Sequence, residues 1–274
     1  MPSAKEKFNN DETIISPLTK NELENYAHKM LSDYDAKTPG SIFKNKIRIS
    51  NEDACRIQSA VTDLRQGRGE EIIGYKIGCI SKTTQDKMGL NKPAWGTLWK
   101  SELHFDGDFL KRADFVNPAI EAEFGIMLNR DLEPDLVSFE YILNSVETIH
   151  PLLEIHNLIF HGNSPLGAEL LANNAIHAGV VLGHPVIARL GSGATDLKLI
   201  FDSKVIDTWS NKIWPFDMLS EVEWLVKEQQ KLGNILKKGN LVLTGAYGLP
   251  IPLNDTALIE ATSSAFGNVS ANFG

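Results

Sequence analysis

Ala119-Ile120-Glu121-Ala122-Glu123-Phe124-Gly125-Ile126-Met127-Leu128 alternates with a period of two residues, the signature of a strand. Ala122, Phe124, Ile126 and Leu128 share one face, and Glu121 and Glu123 project side by side from the other. Two neighbouring carboxylates on an otherwise apolar strand repel each other, so a cation is expected between them. Hard oxygen donors suit Mg²⁺, Mn²⁺ or Ca²⁺ better than a thiolate-seeking metal. A solvated edge face would also carry Glu-x-Glu. Glu154 tilts the balance: it lies in the apolar run Pro151-Leu152-Leu153-Glu154-Ile155, where a lone charge is costly unless it is paired or metal-bound.

Upstream of this strand the pattern is helical. Thr19-Lys20-Asn21-Glu22 is a capping box, followed at helical spacing by Leu23, Tyr26, Ala27, Met30, Leu31 and Tyr34. A second helix is expected from Ser50, with Ala54, Ile57, Val61 and Leu64 inward and Gly67 as its stop. From residue 72 short β-like runs take over: IIGYKIG, GTLW and a turn at Asp106-Gly107-Asp108. Downstream the pattern predicts a helix over Phe139 to Ile149 ended by Pro151, a strand in PLLEI, a helix at Ala168 to Asn174 and a strand in AGVVLG. A hairpin about Asp202-Ser203, one helix over Pro215 to Leu232 closed by Gly233, and three or four short strands complete the chain. Helices followed by a β-rich body indicate α+β with a curled sheet. The expected division is a polar arm over 1–16, a helical portion over 17–70 and a β-rich body over 71–274, the last two forming one continuous unit. Neither Gly74 to Gly78 nor Gly191-Ser192-Gly193 completes the Gly-x-Gly-x-x-Gly of a dinucleotide fold.

Composition mainly excludes. The 274 residues carry a formal net charge of −8, which argues against nucleic acid or an anionic membrane as partner. There is no signal-like or membrane-spanning apolar run. Cys55 and Cys79 make no disulfide framework, so a reducing, cytoplasmic setting is expected.

VNPAIEAEFGIMLNRDL (116–132), PLLEI (151–155), GYKIG (74–78) followed by PAWGTL (93–98), and GNLVLTGA (239–246) together resemble one family. It is the 2-keto-4-pentenoate (2-hydroxypenta-2,4-dienoate) hydratase and 4-oxalocrotonate decarboxylase group of the fumarylacetoacetate hydrolase superfamily. The resemblance runs from about Leu23 to the C-terminus. It implies a mixed β-roll with an N-terminal helical or α/β portion, and homo-oligomers of two or more chains. It also implies Mg²⁺ or Mn²⁺ on Glu121, Glu123 and Glu154, and Lys76 in the site as substrate binder or proton carrier. The implied substrate is a small 2-keto or 2-hydroxydienoic acid, chelated through its carboxylate and keto oxygens, with the ion stabilising the enolate formed when a proton leaves C3.

Departures from the family pattern alter the pocket. Where members carry Gln-Pro-Asp-Phe-Gly, this chain has Lys92-Pro93-Ala94-Trp95-Gly96, so Ala94 replaces a proton-handling carboxylate and Trp95 is a candidate substrate contact. A Ser-Arg pair becomes Leu158-Ile159, and Asp-Asn-Ala-Ser becomes Asn173-Asn174-Ala175-Ile176, making Ile176 the candidate pocket residue. A Leu-Gly-His-Pro segment gives way to Asn211-Lys212-Ile213-Trp214-Pro215. His150, His156 and His161, near Glu154 in sequence, are candidates for the missing proton donors. The expected activity is a metal-dependent hydratase. A 4-oxalocrotonate-type decarboxylase, an acylpyruvate-type hydrolase and a divergent member with altered or lost activity are the alternatives, the hydrolase being disfavoured by Glu154 where those enzymes usually present Asp.

Overall fold

A computed structural model describes residues 16–187, 193–246 and 248–274. The arm expected over residues 1–16 lies, up to residue 15, outside the described residues, as do Gly191 and Ser192. Capping sets the first helical boundaries. Helix α1 (Lys20–Asp35) begins where Thr19 accepts the Glu22 amide and the Glu22 carboxylate accepts the Thr19 amide at 2.9 Å. Helix α2 (Asn51–Gly67) starts at Ser50, whose Oγ accepts the Asp53 amide at 3.0 Å. It includes Gly67 and closes through Arg68 into left-handed Gly69, two residues later than the composition indicates.

Strand β1 (Ile72–Gly78) is followed by α3 (Lys82–Met88). That short helix has no buried residue, so no apolar stripe announces it in the sequence. Next come β2 (Ala94–Trp99), β3 (Leu103–Phe105), β4 (Phe109–Leu110), β5 (Pro118–Leu128), α4 (Phe139–Ser145) and β6 (Val146–Asn157). The helix expected to reach Ile149 stops at Ser145. Val146, Thr148 and Ile149 instead pair with Leu128, Met127 and Ile126 of β5, since β-branched side chains fit a pleated surface. Pro151 therefore lies inside β6. Its carbonyl accepts the Gly183 amide at 2.9 Å, so the missing N–H faces the place where the neighbouring chain has left the ladder.

The chain continues through α5 (Gly167–Ala172), β7 (His177–Leu182), β8 (Val186–Ile187), β9 (Gly193–Phe201) and β10 (Lys204–Trp214). The hairpin turns at Asp202 and Ser203, both at positive φ (46° and 68°), as two-residue hairpins favour. The expected single late helix is divided into α6 (Phe216–Leu219) and α7 (Val222–Lys231). Glu221 unwinds to ψ −2° between them, while Leu219, Val222, Leu225 and Val226 keep one buried face. That continuous apolar face is why the sequence reads as one helix. Strands β11 (Leu241–Leu243), β12 (Ile251–Pro252), β13 (Leu258–Ser263) and β14 (Gly267–Phe273) complete the fold.

Two sheets form among the described residues. The nine-stranded sheet follows β2-β1-β11-β5-β6-β7-β3, with β12 on β5 and β8 on β6. The five-stranded sheet follows β10-β9-β13-β14-β4. Parallel pairs (β1 with β11, β3 with β7, β4 with β14) mix with antiparallel ones, giving an α+β roll. The apolar face of β5 packs with Leu199, Ile259, Ala261 and Val269 of the smaller sheet. The other face of the large sheet curls, so that β2 touches β7 and Leu98, Leu152, Val180, Leu182, Leu241 and Leu243 fill the concavity. Helices α1, α2 and α5 cover its open end through Met30, Ile57 and Leu170.

Gly74 lets the curl close. It sits at φ 154°, and a Cβ there would stand 1.8 Å from the Leu241 carbonyl oxygen. Gly74→Ala is expected to cost about 3 kcal/mol or more, read as a lower denaturant midpoint. An unchanged midpoint would contradict this account of the β1–β11 contact.

Candidate active site

Strand register assembles the charged groups. Glu121 is directly opposite Glu154 across the β5–β6 pair, His156 is opposite Ala119, and Glu123 is opposite Leu152. All belong to the concave face, because paired residues share a face and successive side chains alternate. Lys76 enters from β1 across β11, with Nζ 3.1 Å from Glu154 Oε1. His177, the first residue of β7, places Nδ1 2.7 Å from the same oxygen. His156 Nε2 lies 2.9 Å from Glu121 Oε2 and 3.5 Å from Glu154 Oε2. Glu123 accepts the Gly245 amide at 3.2 Å.

These groups are almost dry. Glu154 is 0%, Glu123 1%, His156 1% and Lys76 3% exposed. Burial drives the Glu123 carboxyl well above the usual carboxylate range, and the charges of Glu154 and Glu121 push it further. Burial would do the same to Glu154, but Lys76, His156 and His177 overcome it and hold Glu154 well below that range. Burial alone would lower Lys76, yet Glu154, Glu121 and Glu123 raise it above an ordinary lysine. Burial and neighbouring charge thus push the Glu123 and Glu154 carboxyls in opposite directions, with Lys76 and the two imidazoles acting chiefly on Glu154.

Charge pairing continues outward to the helices. His177 Nε2 is 3.7 Å from Glu102, which is 2.7 Å from Arg65 and 2.5 Å from the Tyr34 hydroxyl. The Arg65 guanidinium stacks 4.2 Å from the Trp99 ring. Sequence reasoning missed Arg65, Glu102 and His177. Glu102 follows Lys100-Ser101 in an ordinary polar turn, and His177 opens an apolar strand, so neither carries a local signal.

A cavity of about 360 Å³ opens beside Lys76, Glu121 and His156. Ala94, Leu158 and Ile176 line it, whereas Ile159 lines a separate small cavity near Tyr34 and Arg65. Asn174, Ala175 and Ile176 all have positive φ (54°, 49° and 56°), costly for non-glycine residues. The Asn174 amide bridges both backbone groups of Thr97 at 2.7 and 2.9 Å, anchoring the turn that presents Ile176. A Cβ at Gly96 would stand 2.7 Å from the Asn174 carbonyl and 3.2 Å from Lys76 Cγ, so the close approach of turn, strand and lysine requires glycine.

Trp95 requires a correction. Alternation along β2 turns it away from Ala94 and Gly96, and it is buried edge-on to Tyr75 at 6.3 Å, on the wall of another groove near α2. Of the three candidate histidines, only His156 reaches the site. His150 is held between the Gly183 carbonyl (2.8 Å) and Thr148 (2.9 Å), and His161 bonds the Pro39 carbonyl at 3.2 Å.

Donor atoms of Glu121, Glu154 and His156 all lie within 4.8 Å of one another. Glu154 Oε2 is buried without a hydrogen-bond partner, and buried carboxylate oxygens are seldom left unsatisfied. The donor set therefore fits a divalent cation, with Glu123 adjoining on the same face.

No protein-family model matches the chain. The chain is 29% identical over 222 residues to a 2-keto-4-pentenoate hydratase of Burkholderia vietnamiensis (strain G4 / LMG 22486), covering 80% of this chain and 85% of the relative. Its fold superposes on 4-oxalocrotonate decarboxylase from Pseudomonas putida G7, complexed with magnesium and adipate, with TM-score 0.83, 18% identity and coverage of 95% and 100%. The chain is thus similar to the 2-keto-4-pentenoate hydratases in sequence and to 4-oxalocrotonate decarboxylase in fold. The wider fumarylacetoacetate hydrolase-like fold appears in fumarylpyruvate hydrolase from Pseudomonas aeruginosa, in complex with Mn²⁺ and pyruvate: TM-score 0.56, 14% identity, 73% of this chain and 88% of that one. The α+β roll expected from the sequence is thus the fold shared with these solved structures.

The buried pair of Arg65 and Glu102 makes a separate structural claim. Arg65→Met strands the Glu102 carboxylate and is expected to cost about 3–5 kcal/mol, measured by chemical denaturation. A loss below about 1 kcal/mol would show that the pair is not what secures α2 to the roll.

Proposed function

We propose that the protein is a divalent-metal-dependent hydro-lyase acting on 2-hydroxypenta-2,4-dienoate-type (2-keto-4-pentenoate) acids. The observation that carries this reading is the facing pair of Glu121 and Glu154, with Lys76 3.1 Å from Glu154, at the base of the cavity. Glu121 and Glu154, with Glu123 adjoining, would hold Mg²⁺ or Mn²⁺. When bound, such an ion supplies Lewis acidity at the 2-oxygen and adjoining carboxylate of the acid, where negative charge develops as protons move at C3 and C5.

The side chains supply the remaining steps. Lys76, kept protonated by three carboxylates, binds the substrate carboxylate through Nζ and offers it a proton donor. Glu123, whose carboxyl burial and like charge push upward, adjoins the pair on the same face, and His156 sets Nε2 2.9 Å from Glu121 Oε2. Ala94, Leu158 and Ile176 confine the carbon chain while offering it no proton, which places proton transfer on Lys76. The reading extends to a cytoplasmic homo-oligomer. Its support is two unpaired cysteines and exposed apolar side chains such as Phe105 and Phe109, and no helix among the described residues is long and apolar enough to cross a membrane.

Loss of dienol absorbance from 2-hydroxypenta-2,4-dienoate tests the activity. Turnover is expected to vanish with chelator and return with Mg²⁺ or Mn²⁺, while Lys76→Met reduces kcat by about 10²–10⁴-fold. Metal-independent turnover, or full activity in Lys76→Met, would refute the reading. Turnover of 4-oxalocrotonate alone would replace it with a decarboxylase.

A further inference from the structure

We infer that His156 is a direct ligand of the divalent ion through Nε2, adding an imidazole nitrogen to the carboxylates of Glu121 and Glu154. The inference rests on the reading of this cluster as a divalent-cation site and goes beyond it in naming a nitrogen donor. His156 follows Glu154 by two residues on one strand and so shares its face. It stands opposite Ala119, whose small side chain leaves the imidazole free to lean over the carboxylate pair. Nε2 lies 2.9 Å from Glu121 Oε2 and 3.5 Å from Glu154 Oε2.

Those separations have the size that the edges of a coordination shell would have. Two donors, each about 2.1 Å from one ion and at right angles, stand about 3 Å apart. Burial adds a second argument: Glu154 Oε2 lacks a hydrogen-bond partner and faces Nε2, so an ion seated among the three would satisfy it. Glu123 accepts the Gly245 amide at 3.2 Å and adjoins the trio whose donor atoms lie within 4.8 Å of one another. Imidazole suits Mn²⁺, Fe²⁺, Co²⁺ or Zn²⁺ better than Mg²⁺, which favours oxygen. The site should therefore prefer Mn²⁺ over Mg²⁺ more strongly than carboxylates alone would.

The test uses untagged full-length protein, stripped with chelator and loaded with Mn²⁺. Electron spin echo envelope modulation is expected to show ¹⁴N coupling to the bound Mn²⁺, retained in His177→Gln and lost in His156→Gln. The ratio of Mg²⁺ to Mn²⁺ dissociation constants is expected to fall about tenfold or more in His156→Gln. Mn²⁺ bound without ¹⁴N coupling in the unaltered protein, or with coupling that follows His177 instead, would overturn His156 ligation while leaving the cation site standing. No Mn²⁺ binding by the unaltered protein would overturn both. The wild-type spectrum decides even if His156→Gln fails to fold.

Discussion

Like charge held out of water is the constraint on which this structure turns. Glu121 and Glu154 face each other across adjacent strands, Glu123 adjoins them, and Glu154 is wholly buried. A carboxylate removed from water costs several kcal/mol even after the protein relaxes, so every neighbouring element contributes compensation. Strand β1 supplies Lys76, β6 supplies His156, β7 supplies His177 and the loop after β11 supplies the Gly245 amide. Each contribution depends on the sheet curling far enough to bring β1 and β7 to the same concave face.

The curl is set by backbone rather than by large side chains. Gly74 and Gly96 permit close approaches that a Cβ would block, and the left-handed run at Asn174 to Ile176 closes the cavity from the other side. The helices are coupled to this geometry through charge as well as packing. Tyr34 from α1 and Arg65 from α2 hold Glu102, which faces His177, which in turn bonds Glu154. The helical portion and the roll thus share one electrostatic network.

Much of this was legible in the sequence. The period-two pattern of Ala119 to Leu128 located the central strand, and Glu154 in an apolar run signalled a compensated buried charge. The capping residues Thr19 and Ser50 marked the starts of α1 and α2. Other features were hidden for physical reasons. Pro151 reads as a helix terminator, yet its missing donor faces a gap in the ladder. The apolar face of α6 and α7 runs unbroken through the turn between them. Trp95 follows pocket-lining Ala94 on the strand, so motif position alone put it on the wrong side of β2. His177, Glu102 and Arg65 meet only through tertiary pairing, and no local spacing in the sequence announces them.

The central claim is that Glu154 is buried to hold a divalent cation with Glu121, and calorimetric titration of chelator-treated protein with Mn²⁺ tests it most directly. One ion per chain is expected, with affinity falling at least about 100-fold in Glu154→Gln. Equal Mn²⁺ affinity in Glu154→Gln and the unaltered protein would contradict the account.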